Sequence, residues 1–364
     1  MNILIYLGHP AQYLFLRETI NRLHFKCHKT TILIKTKDVL ENLLKEDGLE
    51  YVNILPRTRG NSKFSILWSL IKRILILFPL IIKEKPNLLI GSDAPFAILG
   101  KILRINRITV IEDDYQVIKT LGDLTYPFTQ TILCPEVCDV GKWTKKKVGY
   151  SGYMKLAYLH PNIFNPDNKI LSKYNLPHKY AIIRLSKLNA HHDFGITGID
   201  KKILDKIITL FNSYNISVYI SSEGNLENNY SQYLLKIKPQ DMHQVLFHAT
   251  ILVSDSQSMS VEAAILGVPS IRVSSFIGKI SVLEELEHKY ELTYGFLPEQ
   301  SDAMFGKIEE LLNTPNLKED WQNRRQRMLQ DKIDVTAFMV WFIENYPDSV
   351  KIMKENPNYQ YNFK

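Results

Sequence analysis

The chain is 364 residues long, 45% hydrophobic and 23% charged, with a formal net charge of +7 and a pI of about 9.0. That length fits two α/β domains better than one core, and the apolar content excludes a disordered chain. The basic excess suits phosphate-bearing ligands, an anionic membrane surface or nucleic acid, but the basic residues are scattered and form no nucleic-acid-binding module, so nucleic acid is set aside.

The opening MNILIYLGHP has neither a basic leader segment nor a small-residue cleavage site, so it reads as a strand and the expected location is cytoplasmic. Cys27, Cys134 and Cys138 are too few for a disulfide framework and no His follows at a zinc-finger interval, so buried reduced thiols are expected. Near-continuous apolar runs follow at Asn2 to Leu7, Thr30 to Thr36, Tyr51 to Leu55, Asn87 to Gly91, Ile108 to Glu112 and Gln130 to Cys134. Strands buried on both faces have that composition, which predicts a parallel, doubly wound sheet.

Phe64 to Ile82 is almost wholly apolar but carries Lys72 and Arg73 at its centre and Pro79 near its end. A cation at mid-membrane costs about 2.5–3.5 kcal/mol, so a transmembrane span is rejected. Phe64, Leu67, Trp68, Ile71, Ile74, Leu75 and Phe78 recur at helical spacing, which favours a core helix. A membrane-surface helix is the alternative, since Lys63, Lys72, Arg73, Lys83 and Lys85 surround that stripe.

A second series of strands is expected at Tyr180 to Arg184, Ile216 to Ile220, Thr250 to Ser254, Ser270 to Val273 and Glu291 to Phe296. The piece before it holds Pro161, Pro166, Asp167, Asn168 and Pro177, a turn-rich composition. The expected organisation is a first domain over 1–160, a linker over 161–178, a second domain over 179–330, and helices over 331–364 that return to the first domain.

The stretch most suggestive of chemistry is SDSQSMSVEAAILGVPSIRV, Ser254 to Val273. A strand ends, hydroxyl residues follow, and a helix starts near Ser258 and stops at Gly267. Free N–H groups at such a start, with Ser256, Ser258 and Ser260 beside them, form a diphosphate site. Glu262, about one turn further on, is placed to accept hydrogen bonds from both hydroxyls of a ribose. Helix caps and a solvated acid are the alternative reading.

This strand, Asp-Ser, Glu-Ala and Leu-Gly-x-Pro order resembles the nucleotide-binding signature of the GT-B superfamily, especially the UDP-N-acetylglucosamine 2-epimerases. The resemblance places Ser256, Gln257 and Ser258 on a Ser-Gly-Gly diphosphate loop and Glu262 on a ribose-binding Glu. Gln257 and Ser258 stand where that loop has glycines. LGHPAQYLF, YSGYMKLAYLHPNIFNPD, RLSKLNAHHDFG and VSSFIGKISVLEELEHKYELTYGF resemble the DUF354 family, a GT-B-like group found with polysaccharide and glycan genes. The implied fold is α/β and GT-B-like: two Rossmann-like doubly wound domains facing a cleft, with C-terminal helices crossing back to the first.

Candidate acids are Asp93, after the Asn87 strand, and Glu112, Asp113 and Asp114, after the Ile108 strand, all at carboxyl ends where open α/β sheets bind ligands. Adjacent strands would bring them together as an acid/base pair, with helix caps as the alternative for Asp93 and Asp114. Asp93 and Glu112 also resemble, in order and spacing, an Asp and a Glu of the epimerases. His9, after the first strand, is a candidate base or sugar donor, a structural histidine being the other reading. In the second domain Arg184, Lys187, His191 and His192, with Arg272 and Lys279, are candidates to hold the leaving diphosphate. The His-His-Asp run is rejected as a metal site, and Glu284, Glu285 and Glu287 read as a solvated helix face.

The resulting expectation is a glycosyltransferase-like enzyme of bacterial or archaeal surface glycan synthesis. It would use a nucleotide sugar, UDP-linked by resemblance, as substrate with no cofactor, and a glycan or lipid-linked acceptor. Peripheral membrane contact through 64–82 and a homodimer are further expectations. A hydrolysing 2-epimerase and a non-catalytic nucleotide-sugar-binding relative are the alternatives.

Overall fold

The computed structural model describes residues 1–36, 39–55, 63–186, 198–224 and 226–364, with backbone alone for 63–67. They group into two units, Met1–His160 with Lys332–Lys364, and Pro161–Asp331.

Unit 1 holds a seven-stranded parallel sheet: β1 (Asn2–Leu7), β2 (Lys29–Lys35), β3 (Tyr51–Leu55), β4 (Leu88–Ile90), β5 (Asn106–Val110), β6 (Thr131–Pro135) and β7 (Lys147–Tyr150). Their spatial order is β3-β2-β1-β4-β5-β6-β7. Strand β1 therefore pairs with both β2 and β4, and the order reverses between β1 and β4, the point where such sheets bind ligands. The strands expected from apolar runs are present, their ends shifted by up to two residues; β7 was not foreseen. In the C-terminal part, Asp334 accepts from Ala337 N and starts the Val335–Glu344 helix, which packs on the Pro10–Phe25 helix of the same unit.

The Lys63–Glu84 helix corrects the expected stripe. Its core face is Ser69, Arg73, Leu77 and Ile81, and the last two join Leu4, Leu33, Leu89 and Phe96 beneath the sheet. Burial of such an aliphatic side chain contributes about 1.5–3 kcal/mol. Trp68, Ile71, Leu75 and Phe78, expected in the core, are exposed. Among the described residues no helix is long and apolar enough to cross a membrane. The thiol expectation holds for Cys134 and Cys138, whereas Cys27 is exposed. Burial pushes the Cys134 thiol up to about 12, so it stays protonated.

Unit 2 carries five parallel strands, β8 (Tyr180–Leu185), β9 (Ser217–Ser222), β10 (Ile251–Ser254), β11 (Ser270–Val273) and β12 (Thr293–Phe296), in the order β12-β11-β10-β8-β9. The order reverses between β8 and β10, where Arg184 and Ser254 are register partners. The turn-rich segment before β8 is fastened to this unit: Asp167 N donates to Gln244 Oε1 at 2.8 Å, and its carbonyl bonds His248 Nε2.

Candidate functional site

In unit 2, β10 delivers its chain to a tightly held turn. Ser256 N donates to Ser254 Oγ at 2.8 Å, and Ser256 Oγ accepts from Met259 N, capping the Gln257–Leu266 helix. The helix thus begins one residue before the expected Ser258. Ser260 Oγ donates to Ser256 O, so it is occupied within the turn. Ser258 Oγ and the N–H groups of Gln257 and Ser258 make no hydrogen bond to any described residue. Two outward N–H groups and a hydroxyl at the positive end of a helix are an anion-binding arrangement. Gly267 ends the helix at φ 71°, a left-handed conformation that favours glycine, and a Cβ there would sit 2.5 Å from Gln322 Nε2. Gln322 and Arg325 then bond the carbonyls of Ile265, Leu266 and Gly267, locking the far end.

Glu262 is buried rather than solvated, and its Oε1 lies 3.3 Å from His243 Nε2. The imidazole fixes one carboxylate oxygen and was missed in the sequence. Arg272 does not reach outward as expected. It is wholly buried, donating Nη1 to Gln257 Oε1 at 3.1 Å and Nη2 to Glu287 Oε2 at 3.3 Å, with Glu284 at 3.6 Å. Desolvation lowers the pKa of Arg272, and the two glutamates pull against that. The glutamate face is consequently not solvated as a whole: Glu287 also accepts from Gly295 N, and Glu284 from Gly278 N. The Gln257 side chain accepts from Arg272 through Oε1 and donates through Nε2 to Asp255 O.

Arg184 lies at the end of β8, with Nη1 on Ser221 Oγ and Nη2 on Glu223 Oε1, both at 2.7 Å, and with Nε buried and unbonded among the described residues. Lys279 is exposed and its Nζ donates to Ser275 O in its own turn. Lys187, His191 and His192 lie outside the described residues. Asp255, just before the helix, accepts from Ser186 N and Oγ at 2.6 and 2.7 Å, and burial raises its pKa.

In unit 1, His9, Asp93 and Glu112 follow the neighbouring strands β1, β4 and β5. His9 is exposed and caps the Pro10–Phe25 helix, Nδ1 accepting from Ala11 N at 3.2 Å. An accepting Nδ1 assigns the proton of the neutral ring to Nε2. Asp93 stands at a helix N-cap position, yet its carboxylate makes no cap bond; both oxygens accept from buried Arg73. Glu112 is equally occupied, Oε1 accepting from Met154 N at 2.6 Å and Oε2 from buried Lys155. Asp114 accepts from Asp139 N.

Asp113 is different. Its side chain meets solvent and makes no hydrogen bond to a described residue. Enough protein still surrounds it that desolvation, with help from the Glu112 and Asp114 charges, raises its pKa against the pull of Lys155. A raised, accessible carboxylate is suited to take a proton. Asp93 and Glu112, expected as an acid/base pair, are each paired with a buried cation, Arg73 and Lys155, and Asp113 follows Glu112 in the chain.

A family model described as a protein of unknown function, DUF354, matches residues 1–347. The chain belongs to the DUF354 family. No curated protein matches it. Solved structures similar to this DUF354 chain include MnaA of S. aureus with UDP, at 13% identity over 96% of this chain and 97% of that one, TM-score 0.69. Another is UDP-GlcNAc 2-epimerase from Neisseria meningitidis bound to UDP-GlcNAc, at 12% identity over 94% and 99%, TM-score 0.65. A third is the forosaminyltransferase SpnP of spinosyn, at 14% identity over 92% and 96%, TM-score 0.58. The DUF354 chain therefore has a GT-B fold, shared by sugar-nucleotide epimerases and glycosyltransferases alike. Lys155 lies in YSGYMKL, one of the segments through which the family resemblance was seen, but no spacing pointed to Glu112 as its partner.

Proposed function

We propose that this DUF354 chain is a glycosyltransferase that uses a UDP-linked sugar. The observation that carries the proposal is the Gln257–Leu266 helix start, where unbonded N–H groups stand one turn ahead of a buried carboxylate, Glu262. A diphosphate bridged to a ribose needs that pair of features in that order: donors for the phosphate oxygens and an acceptor for the hydroxyls.

In this reading Gln257 N, Ser258 N and Ser258 Oγ hold the diphosphate, Glu262 accepts from the ribose, and Arg272 donates to the Gln257 side chain. Asp113 takes the proton of the acceptor hydroxyl. That oxygen then bonds the anomeric carbon, while the bond from this carbon to the phosphate oxygen breaks and UDP leaves with the electron pair. Charge growing on UDP is met by the helix N-terminus. His9 Nε2–H donates to a sugar oxygen. Arg184 and Lys279 belong to the phosphate surroundings, and Lys187, His191 and His192 are assigned there from sequence.

The same fold in UDP-GlcNAc 2-epimerases favours a second reading, hydrolysing epimerisation, in which acceptor is unnecessary. Incubation with a panel of UDP-sugars, with and without glycan and lipid-linked acceptors, separates the two. Acceptor-dependent UDP release supports transfer. UDP with free 2-epimerised sugar in the absence of acceptor replaces it by epimerisation.

A further inference from the structure

The Lys63–Glu84 helix is apolar on more than its core side. The side it turns to the protein carries Ser69, Arg73, Leu77 and Ile81, and Arg73 pairs with Asp93. The side it turns to solvent carries Trp68, Ile71, Leu75, Phe78 and Ile82, of which Trp68 and Leu75 are 65% and 68% exposed. Their spacing alternates between three and four residues, so at about 100° per residue they form one continuous stripe. Scattered exposed apolar residues are ordinary, but five on one helix face mark an interaction surface.

Charge identifies the partner. Lys72 and Lys83 lie along one edge of the stripe and Lys85 follows the helix end; all three are exposed. The single acid of the helix, Glu84, is held by Lys29 at 2.7 Å, and that contact lowers its pKa. The exposed face therefore offers aromatic and aliphatic groups bordered by cations, with its one anion neutralised. A lipid surface with anionic headgroups complements both parts: the acyl boundary takes the stripe and the headgroups meet the lysines. Pro79, on the exposed side, has no N–H to leave unsatisfied there. The helix is too charged to cross a bilayer, and lying in its surface removes that cost.

We infer that residues 68–83 form a docking face for an anionic membrane surface. The inference stands apart from the sugar-nucleotide reading, because it uses neither the Gln257–Leu266 helix nor the acids.

Co-sedimentation of the full chain tests it, with vesicles of phosphatidylcholine plus phosphatidylglycerol and of phosphatidylcholine alone. The chain pellets with the anionic vesicles, and Leu75→Asp weakens this at least tenfold at an unchanged melting temperature. Lys72→Glu and Lys83→Glu each weaken it about fivefold or more, in a salt-dependent way. Emission quenching by brominated lipid, lost in Trp68→Phe, gives a readout free of any destabilised variant. Recovery of the wild type in the supernatant with both vesicle types overturns the inference. So does equal pelleting by Leu75→Asp, or a wild-type dimer that Leu75→Asp splits without any vesicle binding, since a second copy would then own the face.

Discussion

Arg272 Nη1 donates to Gln257 Oε1 across 3.1 Å, and this bond couples a buried strand residue to the first turn of the proposed phosphate-binding helix. The guanidinium is wholly buried and also neutralises Glu287. Arg272→Met therefore leaves a largely buried carboxylate without its cation, which costs about 3 kcal/mol. Urea denaturation should report that loss. Arg272→Lys restores charge but cannot reach Gln257 and Glu287 together, so it should recover stability more than nucleotide affinity.

Glu262 supplies a second test. Hydrogen bonds to a charged acceptor contribute about 1.5–3 kcal/mol, so Glu262→Ala should weaken UDP binding roughly 10- to 100-fold by calorimetry. His243→Ala, which removes one contact of the carboxylate but keeps the carboxylate, should have a smaller effect. Equal affinity of wild type and Glu262→Ala would remove the ribose assignment.

Arg73 and Asp93 form a buried ion pair whose side chains are 9% and 11% exposed. Arg73→Met or Asp93→Asn alone should lower stability by about 3–5 kcal/mol, because each strands the other charge. The double variant should regain much of that loss, and a double-mutant cycle measures the coupling. Strictly additive losses would mean that the two groups do not sense one another.

Asp113 makes the pH prediction. Its pKa in the folded chain is raised above the ordinary 3.8, so the native state holds this proton more tightly than the unfolded state does. Its contribution to stability is therefore present below 3.8 and is lost as pH rises through the folded value. Asp113→Asn should be more stable than wild type at neutral pH, the difference closing at low pH. As the base, Asp113 must be ionised, so UDP release should rise with pH through that same raised value. In Asp113→Asn the rate should drop and the limb vanish.

Much of this architecture could be read from the sequence, because parallel strands buried on both faces are nearly continuous apolar runs. Strand β7, KVGY, escaped: it is a sheet edge, short and alternately half-buried, without such a run. The apolar helix was placed but not its orientation. Apolar residues surround nearly the whole circumference, and the two groups that pattern would send outward, Ser69 and Arg73, are buried, Arg73 on Asp93. The start of the Gln257–Leu266 helix was legible to within one residue because capping is local. Lys155 on Glu112, His243 on Glu262 and Arg272 on Glu287 were not, since each pair joins residues 43, 19 or 15 positions apart through tertiary packing.

The proposed function requires the Ser256–Glu262 segment to bind the nucleotide of a UDP-sugar. Isothermal titration of the full chain with UDP tests it most directly. Saturable binding of one UDP per chain, weakened in Glu262→Ala, is the expected result. No heat, and no rise in melting temperature, with UDP or any other nucleoside diphosphate would contradict it.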